Sequence, residues 1–414
     1  MALEYPVEQA ITDHIAGFLL RYFTRAEKAQ IERPYVDAAR DRDLLRLHWA
    51  MSPVVQELVR YVLQHRNEIQ STLKTALRIE DSVIRGRIDA RATVIHRRMA
   101  GLSTAMVSQE PLRSYDSGPN HVLSWVLKQA WSLASRFAAM VPPSASYRTI
   151  VDTAIQSLEQ VRRIHAIALM ADQPTAIKRP GSGAILEARR SRREVYRKAC
   201  AAYEYLLRIE SADAEAITAM LRATLLAPLE PWRRYELAVA FSLAEALEAD
   251  GDTTMALNLL IGETSAPIVR VGRHSIFWQS RTKYSLPPVW EPSEVVSLHI
   301  LNTYGFSASV DRPDLVVTDD EAGLVASVVE VKYLTAEDAS DRVRGAVSQL
   351  VRYARLYHPI DETSPLLGRS LIAVSQGLEG IPTPSPLPYD VPLLIDFATI
   401  KSDGLATWAS RLKH

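Results

Sequence analysis

The chain is 414 residues long, 47% hydrophobic and 23% charged, with 48 basic side chains balanced by 48 acidic ones. That length suits two or three domains of an ordinary folded protein, and zero net charge excludes a histone-like mode of nucleic-acid binding while leaving room for a local basic channel. A single cysteine, Cys200, excludes an intrachain disulfide or a cysteine cluster for zinc or iron–sulfur and fits a reducing, cytoplasmic setting.

The opening residues, MALEYPVEQAITDHIAGFLLRYF, lack a basic leader and a long apolar core, so no secretory signal is expected. No apolar run reaches the length needed to cross a bilayer, so no membrane partner is expected. Residues 7 to 78 read as helices. Ile11, Ile15, Phe18, Leu19 and Phe23 recur at helical spacing, and Val54, Val55, Leu58, Val59 and Val62 line one face of a segment from Pro53 to Leu73. Core packing accounts for both stripes.

The texture changes over residues 83 to 101. Gly86, the Ile84/Ile88 alternation and the β-branched run Thr93-Val94-Ile95 predict strands and a turn, a small β element near 83 to 108. The same block carries Arg85, Arg87, Arg91, Arg97 and Arg98 against Asp89 alone. Arginine forks suit phosphate oxygens, so these five are candidate DNA contacts; a solvated arginine-rich hairpin, or structural pairing of Arg87 with Asp89, explains them equally well. Asp116 to Pro119 is a turn, Asn120 a candidate helix cap, and Val122, Leu123, Val126 and Leu127 an apolar stripe.

Helix is expected from Val122 to Ala171, broken at Pro142-Pro143, before a loop over residues 172 to 184. The loop's RPGSGA string is not followed by Gly-Lys-Ser/Thr, and no phosphate-binding loop occurs elsewhere, so any nucleotide-driven motor would be a separate protein. The arginine-rich stretch from Glu187 to Lys198 wraps its charges around a helix, which reads as a solvated face. Residues 213 to 249 read as core helices.

In the last third, Arg270 to Gln279 is strand-like, Pro287-Pro288 marks a joint, and Glu294 begins a short helix with Val295, Val296, Leu298 and Ile300. Pro313-Asp314 then opens an apolar run, Leu315 to Val317. A second run, Leu324 to Val329, ends in Glu330-Val331-Lys332. A tight connection through Asp319, Asp320, Glu321 and Gly323 makes the two runs a hairpin. Side chains alternate across a strand, so Glu330 and Lys332 share a face. Asp314 and Glu330 can then converge on one hard cation, and Mg²⁺ prefers one or two carboxylates with water and phosphate oxygens. A helical segment follows with Gln349 and, four residues on, Tyr353. Two more strand-like stretches, a proline-rich loop and a final helix complete an α/β pattern with a mixed sheet. A surface hairpin in which Glu330 and Lys332 merely form an ion pair is the plain alternative.

Asp314, Glu330 and Lys332, followed by Gln349 and Tyr353, resemble the core of the PD-(D/E)xK nuclease superfamily, in its RecB-like branch with a Gln-x-x-x-Tyr element. The G-R-I-D string at Gly86 to Asp89 and the Tyr115-Asp116 to Leu123 stretch are similar, as a loose pattern, to the nuclease subunit of McrBC-type restriction systems. The resemblance implies an α/β C-terminal restriction-endonuclease-like domain, a mixed central sheet flanked by helices, preceded by a mainly α-helical N-terminal region with a small β element. The corresponding boundaries are residues 1–145, 146–264 and 265–414. It implies a metal-dependent endodeoxyribonuclease using Mg²⁺, with Mn²⁺ able to substitute. Asp314, Glu330 and the Val331 carbonyl would hold the metal, with Glu294 as the acidic residue of the preceding helix. Lys332 would assist the attacking water, Gln349 and Tyr353 would orient the site, and Arg352 would join the DNA contacts. A separate NTPase partner and a role in defence against foreign DNA follow from the same likeness, with assembly into a homo-oligomer left open. The rival function is a non-catalytic DNA-binding adaptor that bridges DNA to a motor.

Overall fold

The computed structural model describes residues 4–32, 38–80, 86–101, 104–140, 148–172, 178–249, 255–257, 266–280, 282–286, 291, 295–296, 299–300, 303, 312–334, 339–358, 363–376, 378, 387–402 and 404–412. Its backbone divides into two compact units, neither continuous in sequence. One comprises Met1–His48, Ala138–Arg148 and Ala212–His414; the other comprises Trp49–Phe137 and Thr149–Ser211. The boundaries expected near 145 and 264 cut across this division. Among the described residues, no helix is long and apolar enough to cross a membrane.

Two helices open the chain, α1 (Glu4–Glu32) and α2 (Ala38–Met51). In the second unit, Pro53 starts α3 (Pro53–Gln64), whose Val55, Leu58, Val59 and Val62 are buried as their spacing predicts. Helix is expected as far as residue 78, but residues 72 to 80 form strand β1 (Thr72–Glu80) instead. Leu73 and Leu77 stand four apart, which mimics a helical stripe, yet both are exposed. What decides the conformation is pairing: β1 is antiparallel to β3 (Met106–Ser114) along all nine residues, and β3 also pairs with β2 (Arg87–Ile88).

The strand expected at Thr93-Val94-Ile95 is instead the middle of helix α4 (Ala90–Ala100). Asp89 caps its first turn, accepting from the Ala92 N–H at 2.9 Å, and Gly101 closes its end in the left-handed conformation. The Thr93 hydroxyl is buried and accepts from the Val107 N–H on β3. These caps outweigh the modest helix penalty of β-branched residues. Helix α5 (Gly118–Met140) starts before Asn120, so Asn120 is not its cap. Its amide donates to the Gln70 and Tyr115 carbonyls at 2.8 Å each and accepts from the Tyr196 hydroxyl at 2.6 Å. Helices α6 (Arg148–Arg162), α7 (His165–Ala171), α8 (Ser182–Arg190) and α9 (Glu194–Glu210) follow. As expected of a solvated face, Arg189 pairs with Glu204 and Arg197 with Glu194.

The first unit continues with α10 (Ala214–Leu221) and α11 (Pro231–Glu248), then strands β4 (Met255–Leu257), β5 (Val269–Val271), β6 (His274–Trp278), β7 (Leu315–Asp319) and β8 (Leu324–Lys332). After them come α12 (Ala339–Ala354), α13 (Thr363–Arg369), β9 (Leu371–Val374), β10 (Leu393–Asp396), α14 (Phe397–Lys401) and α15 (Ala406–Arg411). The seven strands form one sheet in the order β10-β9-β8-β7-β6-β5-β4. It is mixed: β8, β9 and β10 are mutually parallel, and the remaining neighbours are antiparallel.

The β7–β8 hairpin is the one the sequence predicts. Its turn is held by the Asp319 carboxylate, which accepts from the Glu321 and Ala322 N–H groups at 3.1 and 3.0 Å. The register slips beside Val317/Thr318, where Val317 faces Ser327 and Thr318 faces Val325, leaving Ala326 as the extra residue of a bulge. The bulge returns Val325 to the face of Val328. Both therefore join the apolar layer of Val316, Ala346, Leu350, Tyr353 and Ile372, where α12 covers the sheet.

Candidate functional site

The site is built at the end of the β7–β8 pair. Beyond the apolar positions Val325 and Val328, the period of two brings Glu330 and Lys332 to the α12 side of the sheet. Lys332 Nζ donates to Glu330 Oε1. Asp314, at the head of β7, accepts from the Val331 N–H through Oδ2 at 2.8 Å. Asp314, Glu330 and Lys332 are thus brought together, as expected from their spacing.

Burial makes this cluster electrostatically costly. Glu330 is 1% exposed, and its Oε2 is buried without a hydrogen-bond partner. Desolvation first, and the Asp314 charge second, push the Glu330 carboxyl up to about 8 in spite of Lys332. Burial also raises Asp314, against the lowering pull of Lys332 and of the Val331 N–H. Two carboxylates accept and cannot donate, so they hydrogen-bond to each other only through a shared proton. The pair therefore attracts either a proton or a cation.

A further carboxyl, not anticipated from the sequence, belongs to the same neighbourhood. Glu236 lies on α11, is 3% exposed, and sits in the run Tyr235 to Ala244, where every residue is buried. Its Oε2 accepts from Trp278 Nε1 at 2.5 Å and from Gln279 Nε2 at 2.8 Å. Desolvation, then the Asp314 charge, pushes it up to about 8. The only signal in the sequence is a lone glutamate inside an apolar helical run, a pattern that is rare unless the charge is paired or used. Glu294, the helix acid expected from the sequence, lies outside the described residues.

On α12, Ala346, Leu350, Tyr353 and Ala354 form the buried stripe against the sheet. Tyr353 therefore stands in the apolar layer, while Gln349 and Arg352 are half-buried on the flank of that stripe. Of the expected DNA contacts, Arg87, Arg91 and Arg98 are exposed on the second unit. Arg97 donates to the Ala105 carbonyl at 2.7 Å and serves the packing of α4 on β3. Arg85 lies outside the described residues.

Oxygen donors of this kind suit a hard cation. Among the described residues, no set of three or more His, Cys, Asp or Glu side chains is arranged to hold a metal ion jointly. Mg²⁺ does not require one, since it keeps several waters and takes only one or two carboxylates. The orphaned Glu330 oxygen beside Asp314 fits that demand.

No protein-family model matches the chain, and no curated protein matches it. Among solved structures, it is similar to a chain of the half-complex refined from a tetradecameric assembly of Thermococcus gammatolerans McrB AAA+ hexamers with bound McrC. The sequence identity is 11% and the TM-score 0.23; the match covers 87% of this chain and 66% of the other, just under two thirds of its length. A superposition that loose establishes neither a shared fold nor a shared activity.

Proposed function

We propose that the chain is a metal-dependent DNA endonuclease with a restriction-endonuclease-like C-terminal sheet, working in a defence system with a separate NTPase partner. The observation that carries this reading is the convergence of Asp314, Glu330 and Lys332 at the end of one hairpin, with a buried carboxylate oxygen left without a donor. Asp314, Glu330 and the Val331 carbonyl would hold Mg²⁺ or Mn²⁺. Bound there, the metal would polarise a phosphoryl oxygen and lower the pKa of a coordinated water.

The remaining work falls to this chain's own side chains. Lys332 is 19% exposed at its side chain, whereas its partner Glu330 is sealed beneath. Released from Glu330, it would donate to the attacking water or to the phosphoryl oxygen on which charge develops. Glu236, pushed up to about 8, would add negative charge facing Asp314 once a cation at the cluster draws off its proton. Gln349 and Tyr353 would orient the cluster from α12, and Arg87, Arg91, Arg98 and Arg352 would contact the phosphodiester backbone.

The test is DNA cleavage with Mg²⁺ or Mn²⁺, alone and with an NTPase encoded beside the gene. Asp314→Ala and Lys332→Ala should each lower cleavage by roughly a hundredfold or more, the usual order for losing metal or charge stabilisation. DNA binding should persist in both. Cleavage at wild-type level by either variant would remove the assignment. Tight DNA binding without cleavage by the wild-type chain, whatever the metal or partner, would favour the adaptor.

A further inference from the structure

We infer that Gln279 is a positioning residue that ties the helix carboxylate Glu236 to the strand aspartate Asp314, with Trp278 as the second arm of the same clamp. This rests on the reading of Asp314 and Glu330 as the metal-holding pair. Three observations carry it. The Gln279 N–H donates to the Asp314 carbonyl at 2.8 Å, which fixes the backbone at the head of β7. The Gln279 amide donates to Glu236 Oε2 at 2.8 Å, which fixes a side chain of α11. Gln279 itself has φ +47°, one of two non-glycine residues with positive φ among those described.

The unusual backbone explains the clamp. Consecutive side chains of a strand point to opposite faces, so Trp278 and Gln279 could not both reach one carboxylate from regular β6 geometry. The left-handed turn at Gln279 breaks the alternation. Both side chains then converge on the same oxygen, Glu236 Oε2, at 2.5 and 2.8 Å. A left-handed glutamine is disfavoured, and it persists only where its surroundings overdetermine it. Here they do, through one backbone and one side-chain hydrogen bond. The result is a carboxylate whose distance from Asp314 is set by a rigid two-donor bracket instead of a free helix rotamer. Outer partners of this kind orient the groups around a metal and alter its affinity without touching it.

The experiment measures Mn²⁺ binding to the full-length chain by titration calorimetry, without DNA, beside thermal melts. The variants are Gln279→Gly, Trp278→Phe, Glu236→Gln, Asp314→Asn and the double variant Gln279→Gly/Glu236→Gln. Glycine takes φ +47° freely, so Gln279→Gly removes the side chain while keeping the turn. It should weaken Mn²⁺ affinity about tenfold, at the low end of the range for outer-shell partners, with no loss of melting temperature. Trp278→Phe should act in the same direction. The double variant should bind no more weakly than Glu236→Gln alone, because Gln279 acts through Glu236; a merely structural residue would give additive losses. Wild-type affinity in both Gln279→Gly and Trp278→Phe, or additive losses in the double variant, overturns the positioning role while leaving the metal reading standing. A wild-type chain that binds no Mn²⁺, or binding unchanged in Asp314→Asn, overturns the metal reading and this inference with it.

Discussion

Glu236 and His48 are both buried, and burial disfavours the charged form of each, so they tilt stability in opposite directions with pH. Glu236 is pushed up to about 8 from an ordinary 4.5. A carboxyl raised in the folded state contributes its full stability below pH 4.5 and loses it as pH rises through 8. Glutamine at 236 can still accept from Trp278 and Gln279 while losing the charge that faces Asp314. Metal-free Glu236→Gln should therefore melt a few degrees above wild type at pH 8 and near it at pH 5, followed by calorimetry across that range. His48, at the end of α2, is buried and hydrogen-bonded to Thr224 Oγ1 at 2.9 Å, and burial lowers it to about 4. The unfolded chain then binds the extra proton between about pH 4 and 6.5, so stability is lost as pH falls through that window. From pH 6.5 to 5 the loss is about 2 kcal/mol, and His48→Gln should abolish that slope in denaturant titrations. At this scale the sequence is uneven as a guide. Asp314, Glu330 and Lys332 are legible because a period of two and a hairpin turn are local facts. Glu236 is not, because its partners Trp278 and Gln279 come from a strand that only the fold brings to α11.

Helix α4 shows how short-range signals compete. Thr93-Val94-Ile95 argues for strand, whereas Asp89 and Gly101 at the two ends argue for helix, and the ends decide because each satisfies backbone groups that would otherwise be orphaned. Glycine serves α4 and the adjoining β2 segment in two distinct ways. Gly101 has φ +67°, and a Cβ added there meets nothing within 4 Å, so Gly101→Ala carries only the left-handed backbone penalty of about 1 kcal/mol. Gly86 has φ +92°, and a Cβ there would lie 2.3 Å from the Gln109 carbonyl oxygen on β3. Gly86→Ala must therefore push the β2 segment off β3 as well as strain the backbone. Circular-dichroism melts should show a clearly larger loss for Gly86→Ala than for Gly101→Ala; equal losses would mean that the close approach to β3 contributes nothing. β1 departs from the helix expected there for a related reason. Its Leu73 and Leu77 obey helical spacing, and nothing within nine residues announces that β3 will supply all its hydrogen bonds.

The scale of the whole chain is where sequence order misleads most. The unit that carries the candidate site begins with the first helix, because α1 covers α11, the helix that bears Glu236. Ile11, Ile15, Phe18 and Leu19 are each no more than 2% exposed. Phe18 stacks on Phe241 with ring centroids 4.3 Å apart, Arg21 pairs with Glu245 at 2.5 Å, and the Tyr22 hydroxyl accepts from the Leu257 N–H on β4 at 3.2 Å. No periodicity reports a contact between residues 18 and 241, so the sequence alone suggests a boundary near 264. The consequence is sharp for fragments. A chain of residues 212–414 holds the seven strands and all of the candidate site, yet it would expose the face of α11 on which Phe241 lies. Truncating one buried phenylalanine to alanine alone costs roughly 3–5 kcal/mol, a large share of the 5–15 kcal/mol that stabilises a typical domain. Residues 212–414 should therefore lack a cooperative thermal transition, and adding residues 1–48 on a flexible linker should restore one. Residues 49–211, which hold the second unit together with the 138–148 stretch that clusters with the first, should melt cooperatively without either. A cooperative, native-like transition in 212–414 alone would show that α1 is dispensable to the sheet and that the boundary read from the sequence was the better one.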